Sequence, residues 1–98
     1  MSGKKYFDRD GNEITYNEWL KLFEDPEYKR VGFFETLANG EKVSVSTVWL
    51  GVTNNFNPMF ETMVFGGRNN GMSRRYETEL EALIGHNEIV DIIQDTLY

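Results

Sequence analysis

The chain has 98 residues, a net charge of −6 from 10 basic and 16 acidic side chains, and no cysteine. Single domains commonly run about 100–150 residues, so residues 1–98 are read as one domain with one core. The 40% apolar and 14% aromatic content argues against disorder, the missing thiols exclude disulfides and thiolate metal centres, and the acidic balance disfavours direct nucleic-acid binding because phosphate backbones attract cations. No apolar run approaches the roughly 18 residues of a membrane span. The basic start Met1–Lys5 is not followed by the apolar core of a signal peptide. A cytoplasmic protein with no membrane partner is the expectation.

Tyr6 to Ile14 reads as a short hairpin turning at Asp10-Gly11, where glycine accepts positive φ. Asp8, Asp10 and Asn12 alternate as calcium-loop ligands do. The match fails because the sixth loop position falls on Glu13 instead of glycine, and the twelfth on Trp19, which has no carboxylate. Thr15-Tyr16-Asn17-Glu18 is a capping box. The helix it opens carries Tyr16, Trp19, Leu20 and Phe23 as one apolar stripe and stops at Asp25-Pro26. Pro26 then starts one further turn through Tyr28, with Asp25 as its cap.

Arg30–Leu37 and Val43–Leu50 read as two strands joined at Asn39-Gly40, the strongest two-residue hairpin signal. The second is the longest run of β-branched and aromatic residues and is expected at the centre of the sheet. Pairing across the turn sets Thr36 opposite Val43, Phe34 opposite Val45 and Gly32 opposite Thr47. That set, extended by Trp49, is the core face. The other face pairs Glu35 with Ser44, Phe33 with Ser46 and Val31 with Val48. Met59–Phe65 is a third long strand, with Phe60, Thr62 and Val64 on one side and Met59, Glu61, Met63 and Phe65 on the other.

Gly51–Pro58 and Gly66–Arg75 read as loops. The second is glycine-rich but lacks the lysine and hydroxyl ending of a phosphate loop. Its Arg68, Arg74 and Arg75 are a candidate anion contact. Thr78-Glu79-Leu80-Glu81 is a second capping box, opening a helix to about Leu97 whose buried face is read as Leu80, Leu83, Ile84, Val90, Ile93 and Leu97. Gly85 in mid-helix costs about 1 kcal/mol relative to alanine, which points to close approach of the helix to the sheet. The fold class is therefore α+β: an antiparallel sheet of three long strands plus a short N-terminal hairpin, with two helices packed on one face.

His86 is the single histidine, so a His–His metal pair within one chain is impossible; no metal site and no cofactor are expected. A candidate polar site groups Asn54, Asn55, Glu61 and His86. Ser44 or Ser46 with His86 and Glu61 makes a hydrolytic set on paper, without a nucleophile-elbow motif behind it. The bland reading of His86 is a hydrogen-bonded structural residue. The uncovered sheet face is expected to carry Phe33, Val48, Leu50, Met59 and Met63, and exposed apolar patches mark interfaces. A homodimer or another protein is its expected occupant.

The chain resembles a group of small proteins encoded by phages and bacterial mobile elements. The resemblance lies in Asp10-Gly11-Asn12, Glu18-Trp19, Leu22–Asp25, Tyr28–Val31, Val45–Gly51, Phe60–Phe65, Arg75-Tyr76, Thr78-Glu79, Glu81–Leu83 and Gly85-His86, and covers most of the chain. Members often carry an aspartate-histidine pair after the Trp-Leu-Gly block, where this chain has residues near Thr53 and Asn54. The resemblance implies a phage or prophage origin and action inside a bacterial cell, and brings no activity with it. Two functions follow: a non-enzymatic accessory protein acting by protein–protein interaction, in one version against a host defence system, or a small ligand-binding protein or hydrolase using Glu61 and His86.

Overall fold

The computed structural model describes residues 3–53 and 59–95, and shows an α+β fold with two antiparallel sheets and three helices among those residues. In chain order, β1 (Lys5–Phe7) and β2 (Glu13–Ile14) make the N-terminal hairpin. α1 (Tyr16–Phe23) and the single turn α2 (Pro26–Lys29) follow, then β3 (Arg30–Ala38) and β4 (Glu41–Trp49). After β5 (Val52–Thr53) come β6 (Phe60–Phe65), β7 (Ser73–Tyr76) and α3 (Glu79–Asp95). The larger sheet runs β3-β4-β6-β7, and the smaller one β2-β1-β5.

Local chemistry accounts for most of the boundaries. Asn39 (φ 54) and Gly40 (φ 83) both adopt the left-handed conformation that a two-residue hairpin requires. The β3–β4 register is the expected one from Ala38 back to Gly32. It slips between Arg30 and Gly32, so Val48 faces Arg30 and Val31 is the extra residue of a bulge. Thr15 accepts from the Glu18 amide while the Glu18 carboxylate accepts from Thr15 N, and Thr78 with Glu81 repeats the arrangement at α3. Asp25 caps α2 as expected. The Asp8 carboxylate accepts from the amides of Asp10 and Asn12 at 3.0 and 2.9 Å, so it is occupied by the turn itself.

The sheet has four strands instead of three. Ser73–Tyr76, read as loop, pairs with Phe60–Met63. The connection folds back through Gly71 N–H to Val64 O and Val64 N–H to Met72 O, each 2.9 Å, with the Gly66 amide held by the Asn70 side chain. Ser-Arg-Arg-Tyr carries no alternation of apolar residues, so its pairing is decided by Tyr76, which is anchored in the core. The N-terminal hairpin also joins a sheet of its own, with Tyr6 opposite Val52.

Among the described helices, α3 alone lies across the four-stranded sheet. α1 docks at its end, where Trp19, Leu22 and Phe23 pack against the buried Trp49 and Trp19 Nε1 donates to Leu50 O at 2.9 Å. Of the expected α1 stripe, Trp19 and Phe23 are half-buried and stack on each other, whereas Tyr16, stacked on Trp19 from outside, and Leu20 are both exposed. The correction at α3 is larger. Its buried residues are Ala82, Gly85, His86, Ile89 and Ile93, whereas Leu80 (67%), Leu83 (40%) and Ile84 (53%) are exposed. Ile93 is buried as expected and Val90 packs partly against the same cluster; Leu97 lies outside the described residues. Small residues turn inward because the helix sits close: a Cβ on Gly85 would overlap the Tyr76 ring, and one on Gly32 would meet the His86 ring at 2.9 Å.

Arg9, at the tip of the first hairpin, ties three segments together. Its Nε and Nη2 donate to the two Glu79 carboxylate oxygens at 2.8 Å each, and Nη1 donates to Tyr28 O at 3.0 Å. The Glu79 carboxylate holds the Arg9 guanidinium above its ordinary pKa. Removing a charged, bidentate donor that is still partly wetted costs about 1–2 kcal/mol. Arg9→Ala is therefore expected to lower the thermal midpoint by roughly 5–15 °C. Arg9→Lys should restore less than half of that loss, because an ammonium cannot make the paired contact. Calorimetry of the three proteins checks this, and an unchanged midpoint in Arg9→Ala would show that the clasp contributes nothing.

Candidate functional site

Strand alternation sorts the side chains of the large sheet onto two sides. One side meets α3. Across the other, cross-strand rows run Glu35–Ser44–Phe65, Phe33–Ser46–Met63–Ser73 and Arg30–Val48–Glu61–Arg75. No described helix lies over these rows. Phe33 is 49% exposed, Phe65 50% and Leu37 68%, with Val48, Leu50 and Met63 half-buried. Acids here face cations: Glu61 meets Arg75 at 3.0 Å and Glu35 meets Lys42 at 3.9 Å. The Arg30 guanidinium lies 5.4 Å from the Phe33 ring centroid, a range in which the ring face attracts a cation. The open side thus sets Phe33, Val48, Met63 and Phe65 around Ser44 and Ser46 of the inner strand, with its two carboxylates paired to cations.

Of the five apolar residues expected there, Phe33, Val48 and Met63 fall in these rows. Leu50 lies just past the end of β4. Met59 turns away and packs against the cluster of Trp49, Phe60, Tyr76 and Ala82. Leu37 and Phe65 are further exposed members outside those five, Phe65 on the side of its strand that the alternation assigns to it. Both were legible from alternation, Leu37 as the next same-side residue after Glu35 and Phe65 as the next after Met63.

The covered side holds a buried polar chain. Tyr76 OH donates to Thr62 Oγ1 at 3.1 Å, Thr62 Oγ1 and Thr47 Oγ1 are 2.5 Å apart, and Thr47 Oγ1 is 2.7 Å from His86 Nδ1. Each hydroxyl has one proton to give. With Tyr76 as first donor the chain runs Tyr76 to Thr62 to Thr47 to Nδ1, which leaves His86 neutral with its proton on Nε2. Burial lowers the His86 pKa from its ordinary value, in agreement with a neutral ring. No described buried side-chain oxygen or nitrogen lacks a partner. The sequence had placed Thr47 and Thr62 on the core side, but nothing local marks them as partners of His86 and Tyr76.

A hydroxyl 2.7 Å from an imidazole resembles the nucleophile and base of a hydrolase. Here it lacks the rest. Thr47 and Thr62 are fully buried, so no substrate carbonyl reaches the hydroxyl. Glu61 points to the open side with Arg75, the whole sheet standing between it and His86. Ser44 and Ser46 also lie on the open side. The candidate polar site is therefore not assembled from Glu61 and His86; Asn54 and Asn55 lie outside the described residues. The arginine cluster does not form either. Arg74 pairs with Glu88 of α3 at 2.8 Å and Arg75 with Glu61 on the opposite side of the strand, while Arg68 sits exposed in the β6–β7 connection. Among the described residues no group of three or more His, Asp or Glu side chains is placed to hold a metal, and no helix is long and apolar enough to cross a membrane.

Compared with family models, curated proteins and solved structures, the chain matches none.

The polar chain has a pH signature. The folded His86 binds its proton less readily than in the unfolded chain, where the pKa is near 6.5. The stability this contributes is complete above about pH 6.5 and is lost as pH falls through the lower folded value. His86→Gln is expected to cost about 1–3 kcal/mol at pH 7.5, by disturbing a buried hydrogen bond. It should also lose less stability than the parent between pH 7.5 and pH 5. Urea titrations of both proteins at the two pH values test this, since carboxylate effects cancel in the difference. Parallel losses would remove the histidine from the acid response.

Proposed function

We propose that the protein is a non-enzymatic accessory protein of phage or prophage origin that acts in the bacterial cytoplasm by protein–protein contact through the open side of its large sheet. The observation that carries this reading is the exposure of Phe33, Leu37 and Phe65 on a sheet face with no described helix over it. Apolar patches of this kind mark contact sites on soluble domains. Met63 beside them supplies an adaptable thioether, and the Glu61–Arg75 and Glu35–Lys42 pairs form a polar rim of the kind interfaces carry. The resemblance to phage and mobile-element proteins supplies the cellular setting, and a component of a host defence system is the narrower target within it. A second copy of the chain is the competing occupant of the same side.

A hydrolase reading finds no support in the placement of its residues, because His86 is spent on Thr47 inside the molecule and Glu61 on Arg75 outside it.

The test is affinity capture from phage-infected bacteria with the parent and a Phe33→Glu, Phe65→Glu variant. Both positions are half exposed, so the variant should keep its melting midpoint within the change expected of surface substitutions, about 0.5 kcal/mol in stability. A protein captured by the parent is expected to fall at least about tenfold in the variant, as loss of two aromatic anchors implies, and its capture should resist added salt. Sedimentation of the parent alone separates a second copy from a foreign partner. Equal capture by parent and variant would sink the reading.

A further inference from the structure

α3 is apolar on two sides. Ala82, Ile89 and Ile93 face the sheet. Leu80, Leu83 and Ile84 stand at i, i+3 and i+4 on the outer side, all exposed. Residues at that spacing are neighbours on a helix surface, so the three form one aliphatic ridge. It contributes nothing to the core. Beside the ridge lies a groove of about 400 Å³ between the first hairpin turn and the start of α3, with Met59 and Phe60 in its lining and Asp10 and Glu77 on its walls. Phe60 is buried, whereas Asp10 and Glu77 are exposed.

The electrostatics choose the occupant. The described length of α3 carries Glu79, Glu81, Glu88, Asp91 and Asp95 and neither lysine nor arginine. The groove wall adds Asp10 and Glu77, and the one cation at the groove, Arg9 among the described residues, is bound to Glu79. A second copy would bring the same acids and the same net charge of −6, so like charges would meet across such a contact. An apolar ridge bordered by acids, whose neighbouring cation Arg9 is already paired with Glu79, suits a partner with the opposite pattern.

We propose that the outer ridge of α3 and the adjoining groove dock a cationic amphipathic segment of another protein. Its apolar side chains rest on Leu80, Leu83 and Ile84, and its lysines or arginines stand beside Asp10 and Glu77. This surface is separate from the open sheet side, with α3 and the sheet between them.

The probe is a synthetic helical peptide with leucine at i, i+3, i+4 and i+7 and lysine elsewhere, followed by fluorescence anisotropy and by amide chemical shifts of the full chain. Binding is expected to weaken about tenfold between about 50 and 300 mM salt, as screening of surface charge implies. Leu80→Gln with Ile84→Gln should weaken it at least about tenfold, since two aliphatic contacts are lost. Asp10→Asn with Glu77→Gln, at exposed positions outside the core, should flatten the salt dependence. Shifts should centre on residues 80–84 and on the hairpin turn. A scrambled peptide of the same composition is expected to bind at least about tenfold more weakly, because it has no aligned apolar face. The Phe33→Glu, Phe65→Glu variant should bind the peptide as the parent does, so failure of the sheet-side reading leaves this result intact. No binding, equal binding of the scrambled peptide, or shifts centred on Phe33 and Phe65 would each overturn the proposal.

Discussion

The position of α3 on the sheet rests on the buried chain that joins Tyr76, Thr62, Thr47 and His86. Polar groups inside a protein must be paired or they cost more than they contribute. Four of them meet here between two apolar clusters, one around Val43, Val45, Val64, Ile89 and Ile93, the other around Trp49, Phe60, Tyr76 and Ala82. Apolar contacts tolerate some sliding; a hydrogen bond of 2.7 Å between Thr47 and His86 Nδ1 does not. Two glycines make the approach possible, Gly32 of β3 beneath the imidazole and Gly85 of α3 beside the Tyr76 ring. A helix rotated to bury Leu80 and Ile84 would carry His86 away from Thr47 and leave the threonines without their partner. The polar pairing thus selects one rotation of α3, and with it the residues left outside.

That choice explains where the sequence could be read and where it could not. The β3–β4 register follows from Asn39-Gly40 and from alternation, because both are local. The core side of β6 follows for the same reason, and so does each capping box. The rotation of α3 is not local. A hydrophobicity pattern weighs Leu80, Leu83 and Ile84 above Ala82, Gly85 and His86 and therefore turns the helix outside in. The contrary signal was present in Gly85, which announces close approach, and the small residue Ala82 lies on the same side. Those two, read as a contact face, would have brought His86 inward with them. β7 was lost for a related reason. Arg74 and Arg75 look like loop residues until each meets its own carboxylate, Glu88 on one side and Glu61 on the other, and neither acid is near in sequence.

The same geometry disposes of the catalytic look of His86. A lone histidine in an acidic chain invites a chemical role, and Thr47 at hydrogen-bond distance strengthens the invitation. What decides against it is access and composition. Thr47 is fully buried, the carboxylate that would orient the ring lies across the sheet, and the ring's acceptor nitrogen is already used. A histidine in this position serves the fold, because it satisfies a hydroxyl that four-stranded pairing has buried. Its lowered pKa is the consequence of that burial and not of tuning for proton transfer.

The outer surface follows from what the interior excludes. Burying Ala82, Gly85 and His86 in the first half of α3 leaves Leu80, Leu83 and Ile84 on the outside, where each forgoes part of the roughly 1.5–3 kcal/mol that full burial contributes. Repacking them inward would require giving up the Thr47–His86 contact, so the two demands compete and the polar pairing wins. The sheet makes a parallel compromise, since β4 and β6 are lined with core residues on one side and still carry Val48 and Met63 on the other. Two apolar surfaces therefore lie on opposite sides of the same layer, one balanced in charge and one acidic. Because α3 and the sheet separate them, a partner seated on one would leave the other free, and salt would weaken a contact on the acidic side more than one on the charge-balanced side.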